Sequence, residues 1–259
     1  MFKCRCCSNN ISEKLFSTKL LKKNVDFFEC SNCKYVQTES PTWLDEAYNS
    51  TINTHDTGIL MRNKSNISFV LATLHLIGKK NSSIVDYAGG YGLLVRSLRD
   101  LGIDAFWADP YCENLTARGF ENTKKMKASL VTAFEAFEHF EKPTEEMTNL
   151  LKVAPNVLLT TNIIPNPAPN PEDWWYYGVD HGQHIGFYRL KTFKYLADKF
   201  GLHFMSDGAS RHFFSKKKFS YKYWILLVRL AKFFPKLFSI GMKSKTWDDH
   251  LVMEKKSKV

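Results

Sequence analysis

The residues of this chain that could do chemistry fall into four groups. Cys4, Cys7, Cys30 and Cys33 form two C-x-x-C pairs with 22 residues between them, the spacing of two knuckles that close one tetrahedral zinc site. Four thiolates leave no open coordination position, so this site is expected to be structural. Cys6 is a fifth thiol beside Cys7, and Cys112 lies far along the chain near Asp109. A second group suits a nucleoside. Gly89, Gly90 and Gly92 follow Asp86 and let the backbone approach a ligand, and Asp109 is spaced to accept from both hydroxyls of a ribose. The third group is Glu135, Glu138 and His139. On a helix beginning at Glu135 these share one face by their i, i+3, i+4 spacing and could hold one hard divalent cation. In the alternative reading Glu135 faces a cofactor while Glu138 and His139 cap or orient the next helix. The fourth group is residues 173–184, DWWYYGVDHGQH. Its aromatic planes suit sugars or bases, and His181 and His184 can move protons near neutral pH.

Regular elements must position these groups. Ile84 to Asp86 reads as a buried strand, the glycines as a turn, Leu93 to Leu101 as a helix stopped by Gly102, and Ala105 to Ala108 as a second strand ending on Asp109. This is a βαβ unit. Leu130 to Phe134 and Asn156 to Asn162 read as further core strands, and Ile67 to Ile77 as a helix leading into the first strand. A hairpin is expected over Lys19 to Asn24 between the cysteine pairs. The proline-rich stretch from Pro165 to Pro171 excludes helix and inner strand.

The segment Asp86-Tyr87-Ala88-Gly89-Gly90-Tyr91-Gly92 is neither G-x-G-x-x-G nor a P-loop. It resembles the D-x-G-x-G-x-G motif of class I S-adenosylmethionine-dependent methyltransferases, with Ala88 in the first glycine slot. Together with WADPYCEN, TAFEAFEH and the aromatic loop, the resemblance covers most of residues 40 to 215. It is similar to a zinc-ribbon-bearing branch associated with bacterial surface-polysaccharide and sugar modification, with capsule or lipopolysaccharide synthesis as the setting. The resemblance implies that Asp86, Ala88, Gly89, Gly90, Gly92 and Asp109 hold the cofactor. It also implies that Pro110 and Tyr111 lie against adenine, and that Tyr48, Arg62 or Asn63 reaches the methionine end, Arg62 by pairing with its carboxylate. The E-x-x-E-H pattern is similar to that of quinone O-methyltransferases, where it is associated with Mg²⁺; the same letters recur in relatives with no metal.

The expected fold is therefore α/β: a Rossmann-like class I methyltransferase sheet over residues 41–215, a zinc-ribbon-like appendage over 1–40, and a basic amphipathic helical segment over 216–259. The chain's net charge of +10 would suit a nucleic-acid partner, but its distribution argues against one. Residues 216–259 hold 12 Lys or Arg against three acids, so nearly all the excess sits at one end. In the run from Tyr221, Lys222, Arg229, Lys232 and Lys236 share a stripe opposite Trp224, Leu227, Val228, Ala231, Phe234 and Phe238, and Pro235 should kink or split the helix. This face either packs on the domain or lies on an anionic membrane surface. No apolar run is long enough to span a membrane and none follows Met1, which points to a cytoplasmic protein with reduced thiols, able to work at the inner membrane face.

These readings converge on transfer of a methyl group from S-adenosylmethionine to a hydroxyl of a sugar, nucleotide sugar or glycan. His181 and His184 are then the expected base and its partner, with His139 next in line. Carbon methylation of a keto sugar could use the same residues. The competing enzyme is an RNA methyltransferase with the ribbon as RNA-binding element, against which stands the absence of an N-P-P-Y or D-P-P-Y motif. A non-catalytic binding module is the third reading, and the intact Asp86, Gly90, Gly92 and Asp109 argue against it.

Overall fold

The computed structural model describes residues 2–11, 13–48, 56–122 and 126–257. Along the chain come β1 (Phe2–Lys3), β2 (Asn10–Ile11), β3 (Glu13–Leu20), β4 (Lys23–Glu29), β5 (Val36–Thr38), α1 (Leu44–Ala47) and α2 (Ile59–Leu76). The middle is β6 (Ile84–Tyr87), α3 (Leu93–Asp100), β7 (Ala105–Ala108), β8 (Leu130–Phe134), α4 (Pro143–Val153) and β9 (Asn156–Thr160). Then follow β10 (Gly186–Phe187), α5 (Leu190–Phe200), β11 (His203–Ser206), β12 (Arg211–Ser215), α6 (Tyr221–Phe233), α7 (Pro235–Phe238) and α8 (Thr246–Ser257). A six-stranded mixed sheet has the order β11-β12-β9-β8-β6-β7, and a second, four-stranded sheet the order β10-β5-β4-β3. The chain forms two compact units: residues 1–54, 135–150 and 159–217, and residues 55–134, 151–158 and 218–259.

The second unit holds the βαβ element as expected from its local pattern. β6 pairs in parallel with β7, Ile84 opposite Ala105, and with β8, Ile84 opposite Leu130. Its apolar run is buried, as a parallel strand covered on both faces requires. Helix α2 begins eight residues before the expected start, so Arg62 and Asn63 lie on its first turns. Helix α6 packs on it. Phe69 meets Trp224 with ring centroids 5.9 Å apart, and Trp224, Leu227, Val228, Ala231 and Phe238 are all buried. Pro235 splits the run, standing at the first position of α7. Phe234, expected on the apolar face, is exposed. The C-terminal α8 is fixed by a two-point ion pair: Arg99 Nε and Nη2 donate to the two Asp249 oxygens, both at 2.7 Å, with side chains only 5% and 6% exposed. Gly102 needs its left-handed φ of +93°, and a Cβ there would sit 2.5 Å from the Lys243 carbonyl oxygen.

In the first unit the expected hairpin is present as β3 and β4, paired from Glu13–Glu29 to Leu20–Lys23. The ribbon is more than an appendage. β5 takes β10 as its outer neighbour, Gly186 opposite Gln37 and Phe187 opposite Val36. Leu20, Val25, Phe27 and Val36 then bury against Trp43, Ile164, Tyr176, Tyr177, Ile185 and Phe187. A segment too poor in apolar residues to fold alone thus shares a core with chain 140 residues away. Among the described residues no helix is long and apolar enough to cross a membrane.

Candidate functional site

The glycine turn belongs to the second unit. Asp86 ends the buried part of β6, and its Oδ1 accepts from the Thr132 hydroxyl at 2.6 Å. Burial, with the nearby Asp109 charge adding to it and the Thr132 bond opposing, pushes the Asp86 carboxyl up to about 7. Gly89 has no room for a side chain, because a Cβ would meet Trp107 Cδ1 at 2.8 Å and Asp86 Oδ2 at 3.0 Å. Gly92 starts α3 at a φ of +83°, and a Cβ on it would lie 2.6 Å from Asn114 Oδ1. Ala88 also takes a left-handed φ, +57°, so its methyl group costs backbone strain as well as space. Asp109 closes the turn from the next strand. Its Oδ2 accepts from Gly90 N at 2.9 Å and its Oδ1 from Tyr111 N and Cys112 N at 2.8 and 3.0 Å. The acid expected to bind ribose is therefore held first by backbone amides, which fix its direction. Pro110 and Tyr111 are exposed just beyond it, and Arg62 pairs with Asp56.

A second constellation lies in the first unit. Glu135 does not begin a helix. It has φ +48°, its amide donates to Thr160 O and Oγ1, and the chain passes through Ala136 into a single 3-10 turn, Phe137–His139. The helical face that would align Glu135 with Glu138 and His139 is therefore not formed: Glu135 lies outside helical φ, and only a single 3-10 turn that begins beyond it follows. The cluster that does form is Glu138, His139 and His184, one ligating atom of each lying within 4.8 Å of the others. Two of these three donors are imidazole nitrogens, a set that does not suit Mg²⁺, which takes oxygen.

Hydrogen bonds fix this cluster closely. The Tyr176 hydroxyl accepts from Asn162 N at 3.1 Å and donates to Glu138 Oε1 at 2.6 Å. His184 Nδ1 donates to Tyr176 O at 2.6 Å, and His139 Nδ1 to Gln183 O at 3.1 Å with the Tyr48 hydroxyl at 3.0 Å. A carbonyl only accepts, so both rings carry hydrogen on Nδ1 and keep the Nε2 lone pair free. His181 has the opposite tautomer: its Nδ1 accepts from Gln183 N at 3.1 Å, and its ring lies 4.8 Å from that of His184. Gly178 is required here, since a Cβ would stand 2.5 Å from His181 Nε2. Burial lowers the His139 pKa to about 4, the His181 charge adding to the effect, and burial likewise depresses His184 and His181. Glu138 moves the other way, to about 8, by burial and then by the Glu135 charge. The loop is pinned by residues far away in sequence, Trp43 Nε1 donating to Gly182 O at 2.8 Å and Gln183 Nε2 to Ala47 O at 2.9 Å.

The cysteines form two matching turns. Ser8 N donates to Cys4 O and Lys34 N to Cys30 O, at 2.8 and 2.9 Å, and Ser8 and Lys34 both take left-handed φ, +63° and +62°. The Sγ atoms of Cys4 and Cys33 are 3.6 Å apart and those of Cys7 and Cys30 3.5 Å. A tetrahedron with bonds of about 2.3 Å to sulfur has edges of about 3.8 Å, so the four fit zinc. Cys6 is not one of the four, although its thiol lies beside that of Cys33; its carbonyl accepts from Thr144 Oγ1 at 2.6 Å.

Residues 61–206, more than half of the chain, match the family model of a methyltransferase domain. The chain belongs to the class I, S-adenosylmethionine-dependent methyltransferases. Solved structures similar to it include the calicheamicin-biosynthesis methyltransferase CalO1 with SAH bound, at 16% identity over 57% of this chain and 54% of that one, TM-score 0.41. TnmH matches at 18% identity over 68% and 62%, TM-score 0.46. The plantazolicin methyltransferase BpumL in complex with SAH matches at 10% identity over 69% and 92%, TM-score 0.47. The chain thus spans little more than half the length of the first two. No curated protein matches it.

In this methyltransferase Asp86, the glycines and Asp109 lie around one turn, and His139, His181 and His184 fall in one cluster. Sequence reasoning missed Tyr176 and Tyr48 as partners of that cluster, and Trp43 and Gln183 as its supports. Their signal is only aromatic or polar type within a loop. Of the aromatic run, Tyr176 and Tyr177 turn out to be core, and Trp175 alone is largely exposed, at 78%.

Proposed function

We propose that this protein transfers the methyl group of S-adenosylmethionine to a hydroxyl of a sugar, nucleotide sugar or glycan of surface-polysaccharide synthesis. The observation that carries this reading is that the matched methyltransferase segment contains both the glycine turn and the Glu138–His139–His184 cluster. The sulfonium is already a strong electrophile, so the protein's tasks are to hold the cofactor, align the acceptor oxygen with the methyl carbon and take its proton. Asp86, Ala88, Gly89, Gly90 and Gly92 form the cofactor's backbone cradle, and Asp109 keeps lone pairs for the ribose hydroxyls. His139 and His184, each with Nε2 unprotonated, are the proton acceptors. His181, whose Nδ1 is already occupied, orients rather than accepts. Trp175 offers an exposed aromatic plane to a sugar ring. Zinc at Cys4, Cys7, Cys30 and Cys33 would hold the two knuckles together, its chemistry being structural. Incubation with labelled cofactor and panels of nucleotide sugars, glycans and RNA tests the assignment. Label is expected in a sugar hydroxyl; label in RNA would favour the nucleic-acid reading.

The basic tail supports a location at an anionic membrane surface. Trp224 packs in the core, but Leu226, Phe233, Leu237 and Ile240 are 50 to 71% exposed and are flanked by Lys222, Arg229, Lys232 and Lys236. That arrangement complements anionic headgroups over an apolar boundary. Sedimentation with anionic vesicles should show binding that salt weakens and that Phe233→Ser with Leu237→Ser abolishes; equal binding to neutral vesicles would rule it out.

A further inference from the structure

Glu138 presents an unusual situation for a carboxylate. It is fully buried, and among the described residues no Lys or Arg pairs with it and Oε2 has no hydrogen-bond partner. A buried carboxyl oxygen left unpaired is costly, and structures keep such a group where something else completes it. Two neighbours show what would. His139 and His184 each spend Nδ1 on a backbone carbonyl and so direct an Nε2 lone pair, the outer-shell arrangement that metal-binding imidazoles use to fix tautomer and ring orientation. Glu138 has the equivalent support, with Tyr176 donating to Oε1 and leaving Oε2 as the donor atom. The surroundings thus supply the outer shell of a metal site for three separate ligands, drawn from the turn after β8 and the loop before β10.

We propose that Glu138, His139 and His184 bind one divalent first-row transition-metal ion, distinct from the zinc of the four cysteines. Two imidazoles and one carboxylate suit Zn²⁺, Mn²⁺, Fe²⁺ or Co²⁺ rather than Mg²⁺ or Ca²⁺. Bonds of about 2.1 Å place ligand atoms roughly 3.3 Å apart, so the groups close by no more than about 1.5 Å around an ion. Three protein ligands leave open positions, and His181, beside His184, is the neighbouring group for whatever fills them. With the ion bound, the Nε2 lone pairs of His139 and His184 serve as ligands and those rings are no longer bases; the ion would act instead as a Lewis acid on the acceptor hydroxyl, whose proton then passes to water. That last role rests on the proposed methyl transfer; the binding itself does not.

The test uses the whole protein with its cysteine-site metal retained. Co²⁺ is added, excess is removed, and zinc and cobalt are counted per chain while the absorption spectrum is recorded. Two metals per chain are expected, the added cobalt showing weak visible bands without a thiolate charge-transfer band. Glu138→Gln, which keeps the shape and the Tyr176 bond, and His184→Gln should each lower the total by one and leave the cysteine-bound metal in place. That retained metal also shows that the variants fold. Cobalt that enters with a charge-transfer band, no uptake, or uptake unchanged in both variants would each overturn the proposal. Binding without methylation of any sugar would leave the site standing and remove only its proposed substrate.

Discussion

The glycine turn and the histidine cluster are built on opposite principles. The turn uses residues from one stretch of 24, Asp86 to Asp109, and apart from Thr132 on Asp86 its supports come from that stretch: Gly90 N on Asp109, Trp107 Nε1 on Gly90 O at 2.8 Å. The cluster draws on Trp43, Tyr48, Glu138, His139, Tyr176, Gln183 and His184, and on a ribbon whose outer strand is completed by residues 186 and 187. A site made of neighbours needs few closures of long loops, whereas one assembled across 140 residues exists only after the long-range core has formed. The cofactor half should therefore tolerate damage that erases the other half.

The largest expected effect tests that difference directly. Zinc held by the four cysteines, as proposed, would be removed by Cys30→Ser or by prolonged chelation, and with it a contribution of order 10 kcal/mol in small zinc modules. Hydrogen exchange should then rise through residues 2–48 and 174–188 while β6 to β8 stay protected. Uniform exchange across both would show that the two regions fold as one.

Next in size is Asp249→Ala, which leaves the buried Arg99 guanidinium without its two-point partner. About 3 to 5 kcal/mol should be lost in denaturant melts, and α8 should detach. The same tie makes deletion of residues 216–259 destructive, since it would also strip Trp224, Leu227 and Ala231 from α2. A fully stable Asp249→Ala variant would show that this contact is dispensable.

Asp86 gives a pH signature of a few kcal/mol. Its folded pKa, about 7, lies above the ordinary aspartate value, so the folded state keeps a proton that the unfolded chain releases. Its contribution is complete below about pH 4 and is lost as pH rises through 7. Without cofactor, the stability of the natural protein should fall between pH 5 and 8 relative to Asp86→Asn, measured by urea melts at each pH. Parallel curves for the two proteins would remove Asp86 from the titration.

Asp109→Ala should weaken S-adenosylhomocysteine roughly 10- to 100-fold in calorimetry, a charged hydrogen bond being worth about 1.5 to 3 kcal/mol. The smallest effect expected is a gain. Ala88→Gly relieves a left-handed alanine and should stabilise the protein by about 1 kcal/mol while leaving the cofactor's affinity intact. Weaker cofactor binding in Ala88→Gly would mean that the methyl group contacts the ligand.

The sequence by itself determined the parts whose cause is local. The short apolar runs and the helical spacing of 84–109 set β6, α3 and β7, the small residues set the turn, and the C-x-x-C pairs set two knuckles with the same backbone. It also fixed which residue types could act, placing His139, His181 and His184 among the candidates. Tertiary structure decided their roles. Glu135 reads as a helix start, yet it takes φ +48° where the chain leaves β8, and the cation face it would have shared is replaced by His184 from a distant loop. Tyr176 reads as a substrate-binding aromatic and becomes the buried donor to Glu138; for Trp224 the sequence left packing on the domain and membrane insertion both open, and the structure buries it in the core. In each case the side chain's type was visible and its partner was not, because a hydrogen bond or a buried contact between residues far apart leaves no period and no spacing in the sequence.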